Sequence, residues 1–440
     1  MNQPALDHFS SEFAQLNTDA PDWLSVIRRE AFEAFRAEGF PTLRHEDWKY
    51  TDVRPISKRS FSIPPQGEVV DAALVASAGF AAAGCHELVF TNGCYRAELS
   101  TSLALPDGVI MLPLRRAVDT HGDLFREYLN RRVQGSGAFV ALNTAFINDG
   151  VLLYVPDGVC LEQPVNLLYL AHTTQQPCAA HVRNLIILGA NARATVIETY
   201  SGGGNAEYFT NAVTEISTGA GAALEYYKLQ QESQRAYHIA YTGMWQDRDS
   251  SIESHAISLG GALARNDIHG DLAGPGASVE LSGLYLAGAR QHVDNHTRID
   301  HLKPYTTSSE NYRGVLDGHA RGVFNGKVVV HQDAQKSDAR QANANLLLSD
   351  NAEVDTKPEL EIYADDVKCS HGATVGQLDD AMLFYLRSRA IDADTARSLL
   401  TFAFADEVIR RIRLEAVRRR LEAVVVGKLP DTDAIKEFVK

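Results

Sequence analysis

Two side chains that are able to bind a metal lie close together near the end of the chain. Cys369 and His371 occur in the segment Lys368-Cys-Ser-His-Gly-Ala-Thr374. Residues two apart on a β-strand project from the same face, so the thiol and the imidazole would share one face. Thiolate and imidazole are ligands for iron and zinc. The spacing makes both residues candidate metal ligands, and a buried cysteine beside a hydrogen-bonded histidine is the alternative. Two ligands do not complete a site.

A longer row of polar residues occurs further upstream. It contains His292, Asp294, His296, Arg298 and Asp300. These residues alternate with less polar ones, which is typical of a strand with one face in water. We expect the row to face solvent. Its histidines and carboxylates could instead bind a divalent metal.

Short runs rich in β-branched and aromatic residues must position these side chains. They fill residues 136–375 and are separated by small-residue turns that begin at Gly189, Gly219 and Gly274. The two intervals between these turns, 30 and 55 residues, indicate stacked repeats. In a β-helix each coil covers the edge of the previous coil. This period favours a β-helix over a β-sandwich, in which turns recur about every 8 to 12 residues.

Helical patterns flank the β region on both sides. Apolar residues at helical spacing predict one helix that ends before Gly39 and another over residues 112–129. An apolar stripe predicts a long helix over residues 394–426. The predicted fold is therefore mainly β. Its regions are a mixed N-terminal region over 1–135, a β core over 136–375 and a C-terminal helical region over 376–440.

Composition disfavours several classes of function. Asp and Glu number 56 against 42 Lys and Arg, which gives a net charge of −14. This charge disfavours nucleic-acid binding, because such proteins neutralise phosphates. Six arginines between Arg410 and Arg420 are expected to form a solvated helix face, with docking of an acidic partner as the alternative.

Several sequence motifs are absent, and their absence limits the cellular locations and the reactions that we expect. The five cysteines include no Cys-x-x-Cys pair, so a disulfide framework is not expected. The sequence contains no phosphate-binding loop, no secretion-signal pattern and no stretch of about 18 apolar residues. We therefore expect a cytoplasmic protein without a membrane span.

Three segments resemble one known family. Arg44-His-Glu-Asp-Trp-Lys-Tyr-Thr-Asp52 is similar to the N-terminal signature of the SufB/SufD family of iron–sulfur cluster assembly proteins. Residues 352–376, which include Cys369 and His371, resemble the C-terminal core of that family. Residues 384–391 continue the match, with Ala390 where glycine is more usual. The Cys-Ser-His-Gly-Ala-Thr run favours the SufD branch over the SufB branch.

The resemblance implies a fold and a role. The fold is a right-handed parallel β-helix between two helical regions. The role is that of a non-enzymatic scaffold subunit, which pairs with SufB near the C-terminal end of the β-helix and docks the SufC ATPase on the C-terminal helical region. His371 corresponds to a family histidine at the SufB interface that is implicated in iron or cluster handling, and Cys369 corresponds to the adjacent family cysteine.

The resemblance also implies what the isolated chain lacks. It would hold no cofactor tightly, and iron or an iron–sulfur cluster would be bound transiently in the complex. A homodimer of the isolated chain is also expected, because the edge that meets SufB would otherwise be unpaired. Two alternatives are a carbohydrate-active β-helix enzyme, for which the row from His292 to Asp300 would supply the acids, and a purely structural solenoid subunit.

Overall fold

The predicted mainly β fold with helices at both ends is confirmed. The computed structural model describes residues 3–16, 20–64, 72–133, 137–171 and 177–429. The boundary predicted between residues 135 and 136 lies outside these described residues. Within them, no helix combines the length and the apolar character that crossing a membrane requires.

The described residues that precede the solenoid form seven α-helices, three single-turn 3-10 helices and three short strands. The helices are α1 (Gln3–Ala14), α2 (Asp22–Glu38), α3 (Arg54–Ser57), α4 (Ala72–Ala78), α5 (Leu114–Thr120), α6 (Gly122–Tyr128) and α7 (Ala138–Ala145). The strands are β1 (His86–Thr91), β2 (Cys94–Tyr95) and β3 (Ile110–Pro113). The turn at Asn92 and Gly93 joins β1 and β2 as an antiparallel hairpin.

The solenoid follows as a series of strands joined by short corners. They are β4 (Asp149–Val155), β5 (Val165–Ala171), β6 (Ala179–Leu188), β7 (Arg193–Gly202), β8 (Phe209–Thr218), β9 (Ala223–Gln231), β10 (Tyr237–Gln246), β11 (Ser251–Ser258), β12 (Leu263–Leu272), β13 (Ser278–Ala287), β14 (His292–His301), β15 (Thr307–Leu316), β16 (Arg321–Val330), β17 (Asp338–Leu347), β18 (Glu353–Ile362) and β19 (Lys368–Gly376). The C-terminal helices are α8 (Asp380–Ser388), α9 (Ala393–Ile409) and α10 (Glu415–Gly427).

Successive strands alternate between two sheets. The odd-numbered strands from β5 to β19 form one parallel ladder, and the even-numbered strands from β4 to β18 form the other. Ser278, Thr307, Asp338 and Lys368 are successive partners in the odd-numbered ladder. Three successive coils therefore span 29, 31 and 30 residues. This spacing explains the period of the small-residue turns.

The corners need residues that tolerate positive φ. Asn191, Gly221, Asp249 and Gly276 have φ of 57°, 68°, 56° and 74°. The backbone N–H of each donates to a carbonyl in the next coil, so these positions form a ladder of their own. Glycine, asparagine and aspartate adopt this conformation most readily, and their recurrence marks the coils in the sequence.

Helices cover the outer faces of both sheets. Phe139 of α7 and Phe209 of β8 lie with ring centres 6.0 Å apart in a cluster that also includes α1 and α2. On the odd-numbered sheet, Val408 and Leu421 of the C-terminal helices pack in one fully buried cluster with Tyr227. The apolar stripe predicted for the C-terminal helical region therefore packs against the solenoid itself.

Two predicted helices are interrupted. Residues 112–129 form the end of β3 and two short helices, because residues 110–113 pair with β4 and the chain leaves helical geometry at His121, where φ is −136°. The helix predicted over 394–426 ends at Ile409 and resumes at Glu415. Between these two helices the side chain of Ile412 is fully buried against the solenoid. Tertiary packing decides both breaks.

Glycines make room for tyrosine rings inside the last coils. A Cβ atom on Gly283 would lie 2.1 Å from the ring of Tyr312, which is fully buried. We expect Gly283→Ala to lower the free energy of unfolding by about 1–3 kcal/mol, because the ring has no space to move into. Gly372→Ala is the matched control, since nothing lies within 4 Å of its Cβ position. Urea denaturation of both variants measures the difference, and equal midpoints would contradict this account of the packing.

Candidate functional site

Cys369 and His371 lie on the last strand of the solenoid. β19 pairs with β17, and the register places Cys369 beside Ala339 and His371 beside Gln341. Ala339 and Gln341 are 0% and 3% exposed and belong to the solenoid interior. Side chains at matched positions of a parallel ladder point to the same side, so Cys369 and His371 belong to the interior row as well. The predicted shared face is therefore present.

The interior row is open at this end. β18 and β19 are the terminal strands of the two sheets, and no later strand of the described chain covers them. His371 is exposed although it continues a buried column. The row thus brings a buried environment and a solvent-accessible imidazole to the same place, at the end of the solenoid.

The thiol of Cys369 sits at the edge of a small apolar cluster. Val328, Val330 and Ala339 are buried members of that cluster, and Cys369 packs against it half-buried. Burial raises the pKa of the Cys369 thiol, and the carboxylate of Asp338 raises it further. The thiol is therefore protonated at neutral pH, and a bound metal would have to displace that proton.

Polar groups continue the column behind His371. The Gln341 side chain donates from Nε2 to Glu310 Oε1 at 3.3 Å, and Thr297 donates to the other oxygen of Glu310. Burial raises the pKa of Glu310 to about 7. The Oε1 atom of Gln341 is buried and has no hydrogen-bond partner. A buried acceptor without a hydrogen bond is costly. The Oε1 atom of Gln341 therefore favours a donor at the paired position on β19, which is occupied by the imidazole of His371.

Cys369 and His371 do not form a closed metal site. Among the residues that the structure describes, no third histidine, cysteine or carboxylate joins them in a group that could hold an ion. Cysteine and histidine ligands of iron and zinc occur in sets of four or with open positions filled by other groups. Further ligands would have to come from another molecule.

Exposed apolar side chains gather around the same end of the molecule. Among the described residues, ten large hydrophobic side chains are exposed, and six of them lie between residues 362 and 385. These six are Ile362, Tyr363, Val375, Met382, Phe384 and Tyr385. The last three belong to α8, in which no residue is buried. Exposed apolar side chains in such number are typical of interaction surfaces.

The row from His292 to Asp300 was predicted to face solvent, but its two carboxylates are buried, and among its members only Arg298 is exposed. Asp294 and Asp300 are 0% and 3% exposed. Thr51 donates to Asp294 at 2.6 Å, and Arg265 donates to the same oxygen at 2.8 Å. The ion pairs of this row are satisfied within the chain, so the observation that favoured a carbohydrate-active enzyme is lost.

The N-terminal signature segment covers the first part of this row, because Thr51 contacts both His292 and Asp294. The guanidinium of Arg265 lies 3.7 Å from the ring centre of Trp48 and donates to the backbone carbonyl of Asp47. Glu46 pairs with Lys357 of β18 at 3.1 Å. Sequence reasoning identified residues 44–52 only as a family signature. No local pattern in the sequence reveals that residues 44–52 contact coils that lie more than 200 positions further along the chain.

The arginines of the C-terminal helices are mostly engaged within the chain. Arg411 pairs with Glu280, and Arg413 pairs with Glu253 on the solenoid. Arg420 donates to two backbone carbonyls beside α4. These contacts fasten the helices to the odd-numbered sheet, so this part of the chain offers less free positive charge than the sequence indicates.

Family models cover nearly the whole chain. The model described as "SUF system FeS cluster assembly, SufBD core domain" matches residues 170–404. The model described as "SufBD protein N-terminal region" matches residues 1–167. The core match includes the solenoid strands from β6 to β19 and therefore the strand that carries Cys369 and His371.

Individual relatives agree with the family models. The chain is 33% identical to the iron–sulfur cluster assembly protein SufD of Escherichia coli over 408 residues, which are 89% of this chain and 90% of that protein. It is 32% identical to a SufBD-family iron–sulfur cluster assembly protein of Synechocystis, over 90% and 89% of the two chains. Identity to SufD of Bacillus subtilis is 28%, with 98% of both chains covered. The chain therefore belongs to the SufBD family of the SUF iron–sulfur cluster assembly system.

Proposed function

We propose that this chain is a non-enzymatic scaffold subunit for iron–sulfur cluster assembly. It pairs with SufB through the open end of its solenoid, docks the SufC ATPase on its C-terminal helices, and contributes His371 and Cys369 to iron or cluster handling at the SufB interface. The observation that carries this proposal is the free edge of β19, the terminal strand of its sheet, which presents both residues at an open end of the solenoid. Family membership supports the assembly role. The cytoplasmic location stays a prediction.

The two terminal strands are not equally suited to pairing. Along a strand, the backbone N–H and C=O groups of successive residues face opposite edges. The N–H of Glu353 donates to the previous coil, so the backbone groups of Pro358, five residues later, face the free edge of β18. Proline has no N–H and interrupts pairing there. By the same alternation, Cys369, His371, Ala373 and Val375 face the free edge of β19, which contains no proline. β19 is the edge that favours a partner strand.

A proline in β19 tests the pairing edge. Ala373→Pro removes one N–H from the free edge while the bonds between β19 and β17 remain. We expect it to weaken the complex with SufB at least about tenfold, because a hydrogen bond is lost and the ring keeps the strands apart. Binding of purified SufB, measured by biolayer interferometry, gives the affinity.

Ala373→Val is the matched control, because it keeps the N–H and has a side chain of similar bulk. It should bind SufB like the unchanged chain. Equal binding by both variants would show that SufB uses another surface. Sedimentation of the isolated chain with each substitution tests in parallel whether a homodimer uses the same edge.

His371 is the residue of this edge that is best placed to contact iron. Its side chain is exposed, whereas the neighbouring thiol is half-buried. A partner subunit that extends the sheet would cover His371 and could add ligands from its own strand. Cys369 lies about 6.6 Å along the same strand row, within reach of a shared cluster.

Replacing His371 tests the ligand role. In the complex with SufB and SufC, we expect His371→Ala to lower iron affinity at least about tenfold, since even indirect partners of metal ligands contribute that much. Ser370→Ala is the matched control, because Ser370 is the adjacent residue on the opposite face of the strand. Iron content of the intact complex is the measurement. Wild-type iron content in His371→Ala would exclude the ligand role.

The C-terminal helices offer one face for SufC. The apolar stripe of α9 and α10 is buried against the solenoid, so it is not available to a partner. Phe384 and Tyr385 of α8 are 76% and 55% exposed. We therefore place SufC on α8.

A charge on α8 tests this placement. Phe384→Asp is expected to weaken SufC binding by roughly 2 kcal/mol or more, as for the central aromatic side chain of an interface. Val26→Asp is the matched control, because Val26 of α2 is an exposed apolar residue at 46%. Titration calorimetry with SufC measures both. Undiminished binding by Phe384→Asp would place SufC elsewhere, and loss in both variants would indicate a general effect of charge.

A further inference from the structure

A second group of ligand-type side chains lies on the outer face of the even-numbered sheet. His269 and Asp271 come from β12, and Asp300 comes from β14. The register pairs Asp271 with Asp300 on adjacent coils. Because residues two apart share a face, the three side chains converge on one patch. The patch is separate from Cys369 and His371, because β19 belongs to the other ladder.

The separations between the donor atoms are those of a metal site. His269 Nε2 lies 3.1 Å from Asp300 Oδ2 and 3.4 Å from Asp271 Oδ1. All three ligand atoms lie within 4.8 Å of one another. Ligands held at 2.0–2.1 Å from a tetrahedral ion are about 3.3 Å apart. The imidazole nitrogen therefore already stands at the right distance from both carboxylates.

Neighbouring groups hold the patch in place. His331 bonds from Nε2 to Asp300 Oδ1 at 2.9 Å, which fixes the carboxylate from its other oxygen. Arg298 donates from Nε to Asp300 Oδ2 at 2.6 Å and occupies the atom that would face an ion. The Arg298 side chain is 49% exposed, so it is free to swing into solvent.

The carboxylates of Asp271 and Asp300 converge on one imidazole nitrogen, Nε2 of His269. Metal ions compete with protons for imidazole and carboxylate ligands, so an ion can bind where this nitrogen now contacts both carboxylates.

We propose that His269, Asp271 and Asp300 bind a divalent first-row transition metal ion, separately from Cys369 and His371. An imidazole with carboxylates suits zinc, iron and cobalt, whereas magnesium prefers an all-oxygen site. His331 acts as a positioning residue through Asp300. Binding displaces Arg298 from Oδ2 and releases the proton of His269, and water completes the coordination.

The experiment uses the full chain with Cys369→Ser and His371→Ala, so that the proposed cluster ligands cannot bind the probe. Co²⁺ is added, because its visible spectrum reports coordination number, and Zn²⁺ competition gives the affinity. The variants are His269→Ala and the nearly isosteric Asp271→Asn. His296→Ala is the matched control, since His296 lies on the same strand face and pairs with Asp294 instead. Circular dichroism confirms that each variant is folded.

We expect one ion per chain, with an affinity that falls at least about tenfold in His269→Ala and in Asp271→Asn but not in His296→Ala. Arg298→Ala should bind more tightly, because Oδ2 is then free. Three results would overturn the proposal: no binding by the parent chain, binding by His269→Ala or Asp271→Asn as tight as that of the parent chain, or the same loss of affinity in His296→Ala. Equal or weaker binding by Arg298→Ala would also contradict the shared oxygen. The outcome is independent of whether the β19 edge pairs with SufB.

Discussion

The backbone hydrogen bonding of a parallel solenoid governs the rest of this molecule. Each coil satisfies its N–H and C=O groups only through the coils on either side. The first and last coils must therefore be closed by something else. At the N-terminal end the terminal strands are β2 and β3, which are antiparallel, only two and four residues long, and in β3 end in proline. At the C-terminal end, no strand among the described residues closes β19 in this way.

Helices that cover the outer faces of the sheets bury polar side chains as well as apolar ones. Each buried polar group then needs a partner within the protein. Arg183 and Glu215, both at most 2% exposed, pair at 2.6 Å beneath the segment between α6 and α7. Glu215 also accepts the backbone N–H groups of Asn130 and Arg132. A buried charge is tolerated only when it is paired and hydrogen-bonded, so this ion pair ties the N-terminal region to one place on the solenoid.

The proposed function and the open end have the same physical origin. In the proposed function, the partner solenoid binds at the open end, and the interior row that carries Cys369 and His371 ends at the same place. The polar column behind His371 is buried up to the point where the chain stops covering it. In that proposal, a metal bound by Cys369 and His371 is enclosed only while the partner is bound. Such a site suits transient binding of a metal better than permanent storage.

The sequence by itself determined the class of fold and the candidate ligands. The recurring small residues that tolerate positive φ, the β-branched runs between them and the alternation in residues 368–374 are local features, so they could be read directly. The tertiary structure decided what local patterns do not contain. It buried Asp294 beneath a segment some 240 residues away, broke the C-terminal helix around Ile412, and turned Arg411 and Arg413 toward the solenoid. Each depends on contacts between distant parts of the chain, and periodicity carries no information about which surface a distant segment will cover.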